Sequence, residues 1–215
     1  MPSCPLETGE LINLLVAALL ELDRNAARDC FQRSALVPLA FAETVLAPAL
    51  ERVGTGWERG EVALSQVYMS GRISEELLDE ILPPQQLPDT SHPAMAVAVL
   101  DDFHPLGKRI VSSVVRASGF RLADYGLIGV DDLVRRAQND GIRILLVSTL
   151  MLPAALRVRE LKECLDRDLP GTRLVVGGAP FRLHPDLWWE VGADGTSATA
   201  SGVVPLLRRL IAELP

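Results

Sequence analysis

The chain has 215 residues, 48% of them hydrophobic and 23% charged, which is enough apolar residue to bury a real core in one large domain or two small ones. The longest apolar run, 11–20, is about half of what a membrane span needs and carries no basic leader or cleavage signal, so a cytoplasmic protein without membrane contact is expected. Residues 1–90 hold six basic and fourteen acidic side chains, net −8, against fifteen and fourteen in 91–215, net +1; the first half lacks the clustered Lys and Arg of a nucleic-acid footprint.

Along the chain the first signal is helical. Leu11, Leu14, Leu15, Ala18 and Leu22 recur at i, i+3, i+4 and i+7, the spacing of a core-facing stripe. Segments 24–36, 38–53 and 64–82 show similar spacing with short connections, so residues 1–82 are expected to form a four-helix bundle. The run GTGWERG (54–60) superficially resembles a dinucleotide loop, but it is placed between two helices and its last glycine comes one residue late.

Pro83, Pro84, Pro88 and Pro93 then crowd a stretch with almost no apolar periodicity, read as a semi-extended linker over 83–93. Three cysteines, Cys4, Cys30 and Cys164, are far apart and without metal-site spacing, and are read as inert thiols.

Beyond the linker the pattern alternates. Short apolar runs at 94–100, 120–125, 142–148 and 172–178 are separated by amphipathic stretches long enough for helices, such as the one from Pro153. A short strand near 194–196 and a helix over 200–213 complete five strands. These are consecutive βαβ units, hence a parallel sheet covered on both faces, in a second domain over 94–215.

Ligands of such sheets sit beyond the carboxyl ends of the strands, at the switch point between the first and third. Asp102, Phe103, His104 and Gly107 follow the first strand, Ser148 and Leu150 end the third, and Gly177 and Gly178 end the fourth. The pair Asp101-Asp102 suggests a response-regulator acidic pocket, yet the third strand ends in Ser148 where the phosphorylated aspartate should be. His92 and His184 are read as ordinary residues of the linker and of a helix start.

Asp102-x-His104-x-x-Gly107, Ser148-x-Leu150 and Gly177-Gly178, taken in order, resemble the cobalamin-binding module shared by methionine synthase and the corrinoid proteins of methyltransferase systems. GGAP (177–180) and GADG (192–195) extend the likeness, and residues 46–70 are similar to the helical cap that precedes this module. The resemblance implies a helical cap followed by a five-stranded parallel flavodoxin-like (Rossmann-like) domain. It implies cobalamin bound base-off with His104 on cobalt, Asp102 accepting from the other ring nitrogen, Ser148 near the displaced base, and Gly177 and Gly178 clearing a channel for the nucleotide tail. Trp57, Val67, Tyr68 and Met69 would belong to the cap surface that covers the upper face.

Methylcobalamin, a role as a methyl carrier between methyltransferase partners and no turnover by the chain alone are implied in the same way. The competing class is a cobalamin-dependent sensor or regulatory module. Related light sensors carry a Trp followed ten residues later by Glu-His; here Trp57 is followed by Val67-Tyr68. Ala154 stands where a serine completes a proton relay in methionine synthase, Leu152 where a threonine is common, and Pro105 where an aspartate often follows the histidine. The relay is therefore expected to end at Asp102 or at water.

Overall fold

The apolar stripe of the first segment and the alternation of the later strands each find their own core. The computed structural model describes residues 6–82 and 92–214, in two compact units, 1–83 and 84–215. Most of the proline-rich linker, 83–91, lies outside the described residues.

In the first unit, α1 (Thr8–Leu20) and α2 (Arg24–Ser34) are followed by α3 (Pro38–Phe41), a π-helical turn (Ala42–Leu46) and α4 (Ala47–Glu58) without a break, and then by α5 (Leu64–Ile81). Asp23 caps α2 by accepting from the amides of Asn25 and Ala26. Of the expected stripe, Leu11, Leu15 and Ala18 are buried while Leu14 and Leu22 are exposed; Ile12 and Leu19 join the buried face instead, and Phe41, Val45, Val53, Ile73 and Leu78 are buried in the same unit. Phe31 and Phe41 meet edge to face at 5.1 Å. Cys30 is buried here, and burial pushes its thiol up to about 11, away from the thiolate range.

The segment expected to end near 53 runs five residues further. Gly54 and Gly56 lie inside α4, contrary to the loop between helices read from the sequence. Helical glycine costs only about 1 kcal/mol, and the helix closes instead at Gly60, whose φ of +74° suits a left-handed terminus.

The second unit is a five-stranded parallel sheet. Its elements are β1 (Met95–Leu100), α6 (Leu106–Ala117), β2 (Leu122–Ile128), α7 (Val130–Asn139), β3 (Ile144–Ser148), α8 (Leu152–Leu156), α9 (Val158–Asp168), β4 (Arg173–Gly177), α10 (Ala179–Leu183), α11 (Leu187–Glu190), β5 (Gly195–Thr196) and α12 (Ala200–Ala212). The order β2-β1-β3-β4-β5 puts the switch point between β1 and β3.

Alternate residues of each strand feed opposite cores. Ala96, Ala98, Leu100, Leu145, Val147 and Val176 pack with α7 and α9, through Leu133, Val158 and Leu161. Met95, Val97, Ile144, Leu146 and Val175 pack with α6 and α12, through Val115, Val203 and Leu207. Among the described residues no single helix is long and apolar enough to cross a membrane.

Three details depart from the expected outline. β2 begins later and continues to Ile128, because the register shift opposite Val97 and Val99 places Gly126 in a bulge at φ +70° and the strand resumes beyond it. The expected continuous helix from Pro153 breaks at Arg157 into α8 and α9. The short helices α10 and α11 fill the β4–β5 connection, and His184 follows the end of α10 rather than starting a helix.

One ion pair ties α6 to the edge strand. The Lys108 ammonium, 6% exposed as a residue, donates to both oxygens of Asp124 at 2.5 and 2.7 Å, and Asp124 also accepts from the Gly126 amide of the bulge. Burial pushes the Asp124 carboxyl up, but these hydrogen bonds outweigh it and hold it below the usual carboxylate range. Its folded pKa therefore lies below its unfolded one, so the pair's stabilisation is complete at neutral pH and disappears as pH falls through that lowered value. Asp124→Asn is expected to cost about 2 kcal/mol at pH 7 and to flatten the acid limb of stability measured by urea unfolding between pH 7 and 3; equal acid limbs in both proteins would refute this account.

Candidate functional site

Five parallel strands end at one rim of the sheet, and the residues singled out in the second unit lie at the ends of β1, β3 and β4. The β1–α6 loop opens with Asp101 in the left-handed region, φ +44°, which turns the chain so that Asp102 points inward. The Asp102 side chain is 1% exposed while that of His104 is 50% exposed. A carboxylate and an imidazole two residues apart are thus divided between interior and surface.

The buried carboxylate is fully partnered. Asp102 Oδ1 lies 2.5 Å from His104 Nδ1, and Asp102 Oδ2 accepts from the amides of Leu150 and Met151 at 2.7 and 2.8 Å. Burial by itself would push this carboxyl up, but the hydrogen bonds from His104, Met151 and Leu150 outweigh it and hold the pKa below the ordinary value.

The charge state of Asp102 then decides the tautomer of His104. An ionised carboxylate can only accept, so His104 Nδ1 carries the proton of the pair, and in the neutral imidazole Nε2 keeps the lone pair. Among the described residues Nε2 has no protein partner. No group of three or more His, Cys, Asp or Glu that could hold a metal ion is found among them either.

Glycines shape the space beside this pair. Ser148 and Gly177 are register partners on β3 and β4. Gly178 adopts φ +119°, and a Cβ there would run into the carbonyl oxygen of Thr149, so only glycine lets the two strand ends approach this closely. A Cβ on Gly107 would lie 3.1 Å from Ser148 Oγ, whereas Gly177 faces open space. The buried hydroxyl Oγ1 of Thr149 has no hydrogen-bond partner, an orphaned polar atom in the middle of the three strand ends.

The eight residues proposed for this crevice thus come to one rim. Phe103 is 84% exposed, and the Leu150 side chain is exposed while its amide holds Asp102. The other four belong to the first unit: Trp57 near the end of α4 and Val67, Tyr68 and Met69 in the first turns of α5, with Trp57 and Tyr68 exposed and the other two half-buried. Ala154 is buried and has no hydroxyl to offer.

Sequence reasoning did not single out Met151, Thr149 or Arg157. Met151 acts through its backbone amide, which no side-chain pattern reveals, and Thr149 sits at the variable place of Ser-x-Leu. Arg157 pairs with Asp101 at 2.6 Å from 56 positions away, a pairing that leaves no local signal.

A family model described as a B12 binding domain matches residues 93–204, and a second model with the same description matches residues 11–82. A corrinoid protein of Desulfitobacterium hafniense is 28% identical, over 94% of this chain and 97% of its own length. Monomethylamine corrinoid protein 2 of Methanosarcina mazei is also 28% identical, over 89% of this chain and 93% of its own. The structure of the monomethylamine corrinoid protein of Methanosarcina barkeri superposes with a TM-score of 0.80 at 22% identity, covering 95% of this chain and all of that one, which shows a shared fold.

The three bonds to Asp102 give a test that needs no ligand. Asp102→Ala is expected to raise the exchange rates of the Leu150 and Met151 amides by about tenfold or more, since each charge-assisted bond contributes about 1.5–3 kcal/mol, while Leu145 and Leu146 within β3 stay protected. Unchanged exchange at 150 and 151 would mean that the carboxylate does not order this turn.

Proposed function

The chain belongs to the B12 binding domain family, and from that premise we propose that it is a corrinoid carrier: it binds cobalamin base-off with His104 Nε2 on the cobalt and presents a methyl group to partner methyltransferases. The observation that carries this reading is the buried Asp102 carboxylate on His104 Nδ1, which leaves Nε2 as a lone-pair donor at the rim of the sheet.

The residues present fit the cofactor. A single imidazole would suit a metal that brings its own ring of ligands, as the cobalt of a corrin does. Asp102 fixes the tautomer and raises the basicity of the ligand nitrogen, the role of outer carboxylates on metal-bound histidines. Gly177 and Gly178 leave side-chain space at the end of β4, and the hydroxyls of Ser148 and the orphaned Thr149 offer donors beside it for a polar nucleotide tail.

When bound, cobalamin supplies a cobalt centre that accepts a methyl group from a donor and gives it up to an acceptor. The chain's own part is to hold the lower side. Asp102 keeps the proton at Nδ1, and Ala154, buried within α8, offers no hydroxyl to carry that proton further. Phe103, exposed beside the ligand, keeps an apolar surface at the loop. The first unit supports the reading through its own B12 binding match; Trp57, Val67, Tyr68 and Met69 are proposed as the surface that shields the upper face. The relatives named for corrinoid and monomethylamine proteins favour methyl transfer over a sensor role.

Two outcomes follow. His104→Ala should still take up cobalamin but shift its visible spectrum to that of a water-ligated or four-coordinate cobalt, and a spectrum identical to wild type would remove His104 from the metal. The reduced holoprotein should accept a methyl group on cobalt when mixed with a corrinoid methyltransferase and a simple methyl donor, followed by absorbance. Selective uptake of adenosylcobalamin, a light-dependent change of oligomeric state and no methylation would replace the carrier with a sensor.

A further inference from the structure

The loop that carries His104 begins with a non-glycine residue in a conformation that L-residues seldom adopt. Asp101 sits at φ +44°, and only two other non-glycine residues among those described, Leu22 and Ala35, share the left-handed region. Both of those lie at helix ends in the first unit, where a left-handed residue is ordinary. Asp101 ends a central strand, one residue before the carboxylate that orients His104. A strained backbone at a ligand loop persists when its surroundings over-determine it.

The surroundings of Asp101 do this from three sides. Its amide donates to the carbonyl of Ile128 at the end of β2, at 3.1 Å. Its carboxylate accepts from Arg157 Nη1 at 2.6 Å. Gly129 leaves the room: a Cβ there would stand 3.3 Å from Asp101 Oδ1. Arg157 is also engaged on α9, where its Nε and Nη2 donate to Glu160 on the next turn. One face of the guanidinium fork thus grips α9 while the other grips the β1 loop, an arrangement that the three rotating hydrogens of a lysine do not reproduce.

Arg157 also occupies the junction between α8 and α9. The β1 loop is joined a second time to the segment that follows β3, by Asp102 through Leu150 and Met151. The β1 loop is therefore pinned to the β3 side twice, once from inside by Asp102 and once from outside by Arg157.

We propose that Arg157 is a positioning residue for the His104 loop: by holding the Asp101 carboxylate it keeps Asp101 left-handed, and that turn keeps Asp102 inside and His104 aimed outward. The inference rests on His104 being the cobalt ligand. It assigns Arg157 and Asp101 no contact with the cofactor.

The roles of side chain and backbone separate by substitution. Asp101→Gly supplies the left-handed turn without a carboxylate, Asp101→Ala supplies neither, and Arg157→Ala removes the grip while leaving the strained residue. Two readouts are needed. The first is amide exchange of residues 102–104 and 150–151 in the protein without cofactor. The second is the Co(II) electron paramagnetic resonance of the cobalamin-loaded protein carrying 15N-histidine, in which an axial protein imidazole splits each line into two.

Arg157→Ala is expected to speed exchange of the loop by about tenfold and to lower the fraction of cobalt with an axial protein nitrogen. Asp101→Ala should do the same or more, Asp101→Gly should stay close to wild type, and Arg157→Lys should fall between. In the Asp101→Gly background, adding Arg157→Ala should change nothing further, because the two residues act through one turn.

Loop exchange at wild-type rates in Arg157→Ala overturns the proposal, as does an Asp101→Gly protein as impaired as Asp101→Ala. Faster exchange with an unchanged axial-nitrogen fraction also overturns it, because Arg157 would then be structural only. Should wild type itself lack the 15N splitting, the assignment of His104 to cobalt fails instead, and the exchange data still decide whether Arg157 orders the loop.

Discussion

A carboxylate that is almost wholly removed from water must receive hydrogen bonds from nearly every direction, and Asp102 meets that demand with donors from two separate loops. Its partners are the ring of His104 and the amides of Leu150 and Met151. Buried charge is costly unless it is satisfied in this way. Once it is satisfied, the same bonds decide where the proton of the histidine lies, how the β1 loop turns and how the chain leaves β3. The chemistry of the rim follows from one ionised group.

The rest of the second unit keeps that group in place. Parallel strands buried on both faces give a rigid sheet whose ends cannot drift independently, and Gly178 allows the ends of β3 and β4 to approach to a distance that any side chain would prevent. Lys108 and Asp124 anchor the start of α6 to the edge strand directly after Gly107. The loop bearing His104 is thus bounded on both sides, by β1 before it and by an anchored helix after it.

What could be read from the sequence was set by periodicity and by side chains. The stripe of Leu11, Leu15 and Ala18 marks α1, and the runs of 94–100 and 142–148 mark central strands, because burial on one face or on two leaves a period in the residues. Asp102, His104, Gly107, Ser148 and Gly177-Gly178 stand out because their types are unusual at strand ends. What escaped has no such mark. Gly54 and Gly56 read as a loop although α4 runs through them, Gly126 hides a bulge that prolongs β2, and Arg157 pairs with a residue 56 positions earlier. Backbone donors such as Met151 N–H are the same in every residue, so a site built on them is invisible until the chain is folded.

The long sequence separations of these bonds set an order of assembly. His104 emerges early in the second unit, but its aim depends on Leu150 and Met151, 48 and 49 positions beyond Asp102, and on Arg157. Loop closure over such spans comes late, after β1 and β3 have paired side by side. A growing chain that has reached only α7 owns His104 without the means to orient it. The orientation of His104 is therefore a property of the finished sheet, absent from every shorter stretch of the chain.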